Sequence, residues 1–318
     1  MRIVFFGSDS FSLPALRRLC SSRHAVLAVV TAPDRPRGRG LRPLPTPVKS
    51  FARENGIRSM EPEDLQDPGF LQALREMRAD LFAVVAFRIL PKDVFEIPPH
   101  GTVNLHASLL PKYRGAAPVQ WAILNGEATT GVTTFLINEK VDTGDILLQR
   151  EVEIRPLETA GELETRLAEI GADVLLETID GLESGRLTPR PQEGEPSHAP
   201  KIQREMGRID WSRPADYLAR LIRALSPDPG AFTFWGNKLL RLHRASEESR
   251  GIPHSATAEP GTVLLANART GDLVVKAGES FVRILELQPS GKRIMSSGEF
   301  LRGYRLAEGD RLTREPAE

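Results

Sequence analysis

Two continuous apolar runs, Ile3-Val4-Phe5-Phe6 and Ala25 to Val30, enclose a stretch from Leu13 to Leu19 with helical spacing, opened by Ser12 as cap and Pro14 in the first turn. Runs of β-branched and aromatic residues without polar alternation describe strands covered on both faces, and strand, helix, strand in short succession describes a parallel pair joined by a crossover helix. The pattern continues. Thr46-Pro47 opens a helix that Gly56 closes, Phe70 to Met77 is helical, and Asp80 to Ala86 is another buried strand. Strands follow at Thr102 to His106, Gly131 to Ile137 and Ile146 to Ile154, then an amphipathic helix from about Thr159 to Leu182. The fold class this alternation dictates is α/β: a Rossmann-like, mostly parallel sheet with helices on both faces.

Between Arg186 and Gly207 the pattern fails, and Pro189, Pro191, Pro196 and Pro200 punctuate a polar stretch with the composition of a linker. Beyond it, one helix from Pro214 to Leu225 precedes short segments near Ala231 to Trp235, Lys238 to His243, Gly261 to Leu265, Leu273 to Lys276 and Ser280 to Leu287. Short strands broken by Gly, Pro and Asn predict a small, OB-like β-barrel. With 318 residues the chain can supply two cores. The expected division is residues 1–185, a linker at 186–207, and a second domain at 208–318 that ends in a frayed tail from Glu308 to Glu318.

Several function classes drop out early. Forty-two Lys plus Arg balance forty-two Asp plus Glu, so any charged partner must be met locally. The single cysteine, Cys20, cannot build a disulfide framework, and no apolar run reaches the length of a signal peptide's core or a membrane span. The expectation is a soluble, cytoplasmic protein with no membrane partner and no evident obligate protein partner. The turn Gly7-Ser8-Asp9-Ser10-Phe11-Ser12 lacks the second and third glycines of a dinucleotide fingerprint. No phosphate loop, HExxH or His/Cys cluster at ligand spacing is present, so no metal site is expected.

What remains is a polar pair on a strand. With a side-chain period of two, Asn104 and His106 share one face at the C-terminal end of their strand, where open α/β sheets place their ligand crevice. An amide donor beside an imidazole suits acyl transfer, one stabilising an oxyanion while the other moves protons. The plainer reading is that both satisfy backbone at a strand end. Downstream, Val141-Asp142-Thr143-Gly144-Asp145 is a turn between strands, whose carboxylates either orient a nearby imidazole or only form the turn. The loop Pro33-Asp34-Arg35-Pro36-Arg37-Gly38-Arg39-Gly40-Leu41-Arg42-Pro43 sets four arginines against one aspartate after a sheet strand. It is either a ligand-side basic loop or a solvated one.

At these residues the chain resembles a known family. Asn104-x-His106 followed by Ser108-Leu109-Leu110-Pro111-Lys-Tyr-Arg-Gly-Ala-Ala-Pro118, with Asp142-Thr-Gly-Asp145 downstream, is similar to the signature of formyltransferases that use 10-formyltetrahydrofolate. The arginine loop, Pro45-Thr-Pro-Val-Lys49, and Lys201-Ile202 leading to Ile209-Asp210-Trp211 resemble the methionyl-tRNA branch in particular. The resemblance implies formyl transfer from 10-formyltetrahydrofolate to the α-amino group of methionine on initiator methionyl-tRNA, for translation initiation. It implies catalytic roles for Asn104, His106 and Asp142, and a folate slot along Ser108, Leu109, Leu110 and Pro111 faced by Phe87, Arg88, Ile89 and Leu90. It also implies tRNA contact through Arg35, Arg37, Arg39 and Arg42 and through the C-terminal barrel. One segment departs from the pattern: Ala86-Phe87-Arg88-Ile89-Leu90-Pro91 is a residue shorter than the Ala-Tyr-Gly-x-Ile-Leu-Pro usual in the tRNA branch, and lacks its glycine.

Three rival readings start from the same residues. A hydrolase or dehydrogenase module releasing formyl from folate to water would keep Asn104, His106 and Asp142 but has no use for the arginine loop. A sugar-nucleotide formyltransferase would pair the fold with other domains. A tRNA-binding module with a dead folate site would not need all three polar residues.

Overall fold

The first strand, β1 (Arg2–Gly7), is apolar from Ile3 to Phe6 because both its faces are covered, and these side chains are fully buried. In the computed structural model, which describes residues 1–37, 42–248 and 257–317, β1 lies inside a seven-stranded sheet. Along the chain follow α1 (Leu13–Cys20), β2 (Ala25–Val30), β3 (Arg35–Arg37), β4 (Arg42–Leu44), α2 (Pro47–Glu54), β5 (Ser59–Met60), α3 (Pro68–Glu76) and β6 (Leu81–Val85). Then come α4 (Lys92–Phe95), β7 (Thr102–His106), α5 (Pro118–Leu124), β8 (Thr129–Leu136), β9 (Ile146–Glu153) and α6 (Ala160–Glu183). The sheet order is β5-β2-β1-β6-β7-β8-β9. The strands from β5 to β7 pair in parallel, whereas β7 with β8 and β8 with β9 pair antiparallel. The sequence-level expectation of a mostly parallel α/β sheet is met.

Local signals explain where the helices start. Thr46 accepts from the Lys49 N–H at 3.0 Å with Pro47 in the first turn of α2, and Asp67 accepts from the Phe70 N–H at 2.8 Å at the head of α3. Thr159 and Glu162 form a reciprocal cap on α6: the Thr159 N–H donates to Glu162 Oε2 at 2.9 Å and the Glu162 N–H to Thr159 Oγ1 at 3.4 Å. Ser12 differs from expectation. Its backbone is already helical (φ −74°, ψ −24°), so its hydroxyl makes no cap and donates instead to the Val85 carbonyl at 2.9 Å, tying the head of α1 to the end of β6.

Contacts divide the chain into two units. The first comprises Met1–Pro118, Thr129–Glu153 and Glu164–Pro200; the second comprises Val119–Ala128, Ile154–Leu163 and Lys201–Glu318. The stretch with linker composition therefore splits. Its part up to Pro200 stays with the first unit, where Arg190 bridges Ile146 and His198 bridges Arg114.

In the second unit α7 (Ala215–Ala224) is followed by β10 (Ala231–Trp235), β11 (Lys238–Glu248), β12 (Val263–Asn267), β13 (Asp272–Ala277), β14 (Ser280–Pro289), β15 (Met295–Ser296), α8 (Ser297–Gly303) and β16 (Leu312–Thr313). The antiparallel order is β12-β13-β14-β11-β10-β16, with β15 on β14. An antiparallel bridge between Thr262 and Arg311, flanked by hydrogen bonds from Val263 N to Asp310 O and from Leu312 N to Gly261 O, returns the sheet to its first edge and closes the barrel. The closing strand lies in the segment expected to be frayed. Leu312 is buried, and pairing with both edges is what orders a stretch too short to announce itself by periodicity. Helix α8, capped reciprocally by Ser296 and Glu299, was likewise not anticipated.

Candidate active site

Strand β7 carries the pair. Its face alternates so that Thr102, Asn104 and His106 share one side, and β6 and β8 flank it with Val84 beside Asn104 and Thr133 beside His106. The His106 side chain is almost fully buried (8% exposed) and that of Asp142 nearly so (13%). His106 Nε2 donates to the Tyr113 carbonyl at 2.9 Å, which leaves Nδ1 facing the Asp142 carboxylate at 3.8 Å. The two residues that the sequence could not connect by spacing are thus brought together. Asn104 is half-buried, and among the described residues its side-chain amide has no hydrogen-bond partner, so both its donor and its acceptor are available to a ligand.

Asp142 is held by its surroundings. Its backbone lies in the left-handed region (φ 53°), and its Oδ2 accepts from the Gly115 N–H at 2.8 Å. Gly115 sits at φ 122° with Ala199 O only 2.7 Å from where a Cβ would stand, so this backbone approach requires glycine. Gly144 is equally constrained: a Cβ there would lie 1.6 Å from the Leu136 carbonyl oxygen. Tyr113, also left-handed at φ 61°, turns its carbonyl onto His106. Sequence reasoning missed Tyr113, Gly115 and Gln192, whose Nε2 donates to the carbonyls of Asp142 and Gly144 at 2.9 Å each. All four of these hydrogen bonds use a backbone group, which leaves no trace in residue type.

The two stretches expected to form the folate slot leave neighbouring strands on the same sheet edge, Phe87–Leu90 after β6 and Ser108–Pro111 after β7. Ser108 Oγ donates to the Lys112 carbonyl at 2.6 Å, while Thr133 Oγ1 donates to the Ser108 carbonyl at 2.6 Å and accepts from the Leu110 N–H at 3.1 Å. Gln149 Nε2 donates to the Leu110 carbonyl at 2.8 Å, and Leu110-Pro111 is a cis peptide. Leu110 packs into a small core with Phe135 and Ile146, and Leu109 lies over Gly131, where a Cβ would meet it at 2.5 Å. Across the edge, Leu90 is buried, Phe87 packs edge-on against Phe6, and Ile89 is 75% exposed. Arg88 turns away: its guanidinium donates to the carbonyls of Pro62 and Glu63 and lies 5.5 Å over the Phe87 ring.

The arginine loop starts as a hairpin, with Arg35, Pro36 and Arg37 paired to Leu44, Pro43 and Arg42. Its base is fixed by Lys49, whose Nζ sits 2.8 Å from Asp34 and 2.7 Å from Glu61. Arg39 lies outside the described residues, as do the side chains of Arg35, Arg37 and Arg42. At the opposite sheet edge the fold gathers His24, Asp180 and Glu183, which distance along the chain had hidden. Arg23 pairs with both carboxylates at 2.8 Å, so their charge is already met. Among the described residues no helix is long and apolar enough to cross a membrane.

Comparison with known proteins places this geometry. Residues 1–179 match the formyl transferase family and residues 201–305 match the formyl transferase C-terminal domain. The chain is 44% identical over 312 residues to the methionyl-tRNA formyltransferase of Caldanaerobacter subterraneus subsp. tengcongensis, covering 97% of this chain and 99% of that one. It is 43% identical over 320 residues to that of Geotalea daltonii, covering 100% of both. In three dimensions it resembles HypX from Aquifex aeolicus in complex with tetrahydrofolic acid, with a TM-score of 0.65 at 22% identity over 98% of this chain and 50% of that one.

Proposed function

The chain belongs to the methionyl-tRNA formyltransferase family, and from that premise we propose that it moves a formyl group from 10-formyltetrahydrofolate to the α-amino group of methionine on initiator methionyl-tRNA. What carries the reading to this chain's own residues is the juxtaposition of His106 Nδ1 and the Asp142 carboxylate, 3.8 Å apart, on the strand whose free amide is Asn104. The amine nitrogen bonds to the formyl carbon, the carbonyl electrons move to oxygen, and collapse breaks the bond to N10 as the proton lost by the amine is delivered there.

Each residue has a part. The Asn104 amide and a protonated His106 donate to the developing oxyanion. With Nε2 committed to Tyr113, only Nδ1 of His106 exchanges protons at the site. The Asp142 carboxylate, facing Nδ1, takes the amine proton through water. The donor pocket lies between Phe87–Leu90 and Ser108–Pro111. Its fit to a flat pterin rests on the apolar Phe87 and Ile89 beside two adjacent strand ends. The donor set meets the oxyanion and the proton without calling on a metal.

The first unit is read as the catalytic domain and the second as the tRNA-binding one, with the four arginines from Arg35 to Arg42 reaching the acceptor end. The direct test supplies 10-formyltetrahydrofolate together with charged initiator tRNA, a small amine or water alone. Formylmethionyl-tRNA as the main product is expected. Formate release at the same rate without tRNA would establish the hydrolase instead, and preferential formylation of an amino sugar would establish the sugar-nucleotide branch.

A further inference from the structure

We propose that Gln192 is a positioning residue for this reaction, holding the turn that carries Asp142 in place opposite His106; the inference rests on the formyltransferase reading above. Its amide is fully used. Nε2 donates to the carbonyls of Asp142 and Gly144 at 2.9 Å each, and Oε1 accepts from Arg114 Nη2 at 2.6 Å and Nε at 3.2 Å. A carboxamide has two N–H hydrogens and two oxygen lone pairs, and each has a partner here.

The contacts form a closed circuit. Gly115 N–H holds the Asp142 carboxylate, Gly115 follows Arg114 in the chain, Arg114 grips Gln192, and Gln192 grips the Asp142 carbonyl. Asp142 is therefore fixed at its backbone and at its carboxylate by groups locked to each other. It needs such support, because a left-handed aspartate (φ 53°) persists only where its surroundings over-determine it. Gln192 is itself well founded, flanked by the bridge from Arg190 to Ile146 and by the hydrogen bonds that pair Arg114 with Ser197 and Ala199. Without Gln192 the turn keeps the Gly115 contact and its own bonds, from Thr143 Oγ1 to Asn138 and Lys140 and from Leu136 N to Asp145 O, but nothing holds the carbonyls of Asp142 and Gly144, and the carboxylate can swing away from Nδ1.

The test is single-turnover formylation of charged tRNA by the full chain, because its rate constant does not depend on the folded fraction. Gln192→Met keeps the length and removes all four hydrogen bonds. Gln192→Glu keeps the grip on Arg114 but sets lone pairs against the two carbonyls. Both should slow the step by about ten- to a hundredfold, the scale of an ångström's misplacement, with KM for tRNA changed less than about twofold. In an Asp142→Ala background neither should slow it further, since the group being positioned is gone. A wild-type rate constant in both variants, or the same fold-loss with and without Asp142, overturns the inference. A wild-type chain that turns over formyl-folate with water or an amino sugar but not with tRNA overturns the functional reading instead, and the same comparison of variants can then be made on that reaction.

Discussion

Gly144→Ala is the change that most directly asks whether the turn geometry sets the rate. The added Cβ would stand 1.6 Å from the Leu136 carbonyl oxygen and 2.8 Å from its carbon. Real Cβ contacts essentially never fall below 3.0 Å, and the obstacle is backbone at the end of β8, so the turn must open by at least about 1.4 Å. An opening of that size takes the hydrogen bond from Gln192 to the Gly144 carbonyl, now 2.9 Å, beyond reach, and strains the bond from Leu136 N to Asp145 O, also 2.9 Å. Two hydrogen bonds at about 1 kcal/mol each, with an overpacking cost of about 1 to 2 kcal/mol, make a loss of about 3 to 4 kcal/mol. For a unit of this size that is a fall in Tm on the order of 10 °C. The same displacement reaches Asp142 two residues earlier, and an ångström there should cost about a hundredfold in the single-turnover rate constant. Calorimetry and rapid-quench formylation read the two effects separately. Gly303→Ala, with nothing within 4 Å of the new methyl, serves as a neutral control. A Gly144→Ala protein that melts lower but transfers formyl at the wild-type rate constant would refute the coupling between turn and chemistry.

Other consequences follow from the same contacts. Replacing His106 or Asp142 by Ala should lower turnover by roughly two to four orders of magnitude, and the double variant should be little worse than either single one, which steady-state assays would reveal. Arg39→Ala and Arg42→Ala should flatten the plot of log Kd for tRNA against log salt by up to about one unit each; lines parallel to wild type with equal rates would remove the loop from the reaction. In the second unit, Arg244 grips Glu162 bidentately, at 2.6 and 3.1 Å, and holds its carboxyl down at about 2. A depressed carboxyl stabilises the fold above its unfolded value of 4.5 and loses that contribution as pH falls toward about 2. The urea midpoint of Arg244→Ala should therefore lie below that of wild type at neutral pH, the share from the half-exposed Glu162 pair being well under 1 kcal/mol, and the gap should narrow between pH 4.5 and 2, leaving the bond to the Leu157 carbonyl, which does not titrate.

How much of this was visible in the chain depends on where each contact's partner lies. The strands of the first sheet announce themselves because burial on both faces removes polar alternation, and Asn104 with His106 is visible because a period of two is local. Asp142 is different. Nothing in its neighbourhood distinguishes it from a turn former, and only resemblance connected it to His106, because contact across β8 is a property of topology. Gln192 and Tyr113 escaped altogether, the first hidden in proline-rich polar sequence and the second acting through its carbonyl. The barrel's last strand was misread for a related reason: Leu312-Thr313 is too short for any pattern, and its order comes from two edges supplied by distant residues.

The attachment of residues up to Pro200 to the first unit bears on how these proteins can be recombined. Polar, proline-rich sequence after a long helix invites a cut near residue 185, yet everything that grips Arg114 and the Asp142 turn from this segment, from Arg190 to Ala199, lies beyond that point. A hybrid joined there would give the recipient sheet another protein's buttress. Joined after Pro200, the donor sheet brings its own, and the part of the second unit from Lys201 onward is exchanged while Val119–Ala128, Ile154–Leu163 and every group that holds the carboxylate stay with the sheet.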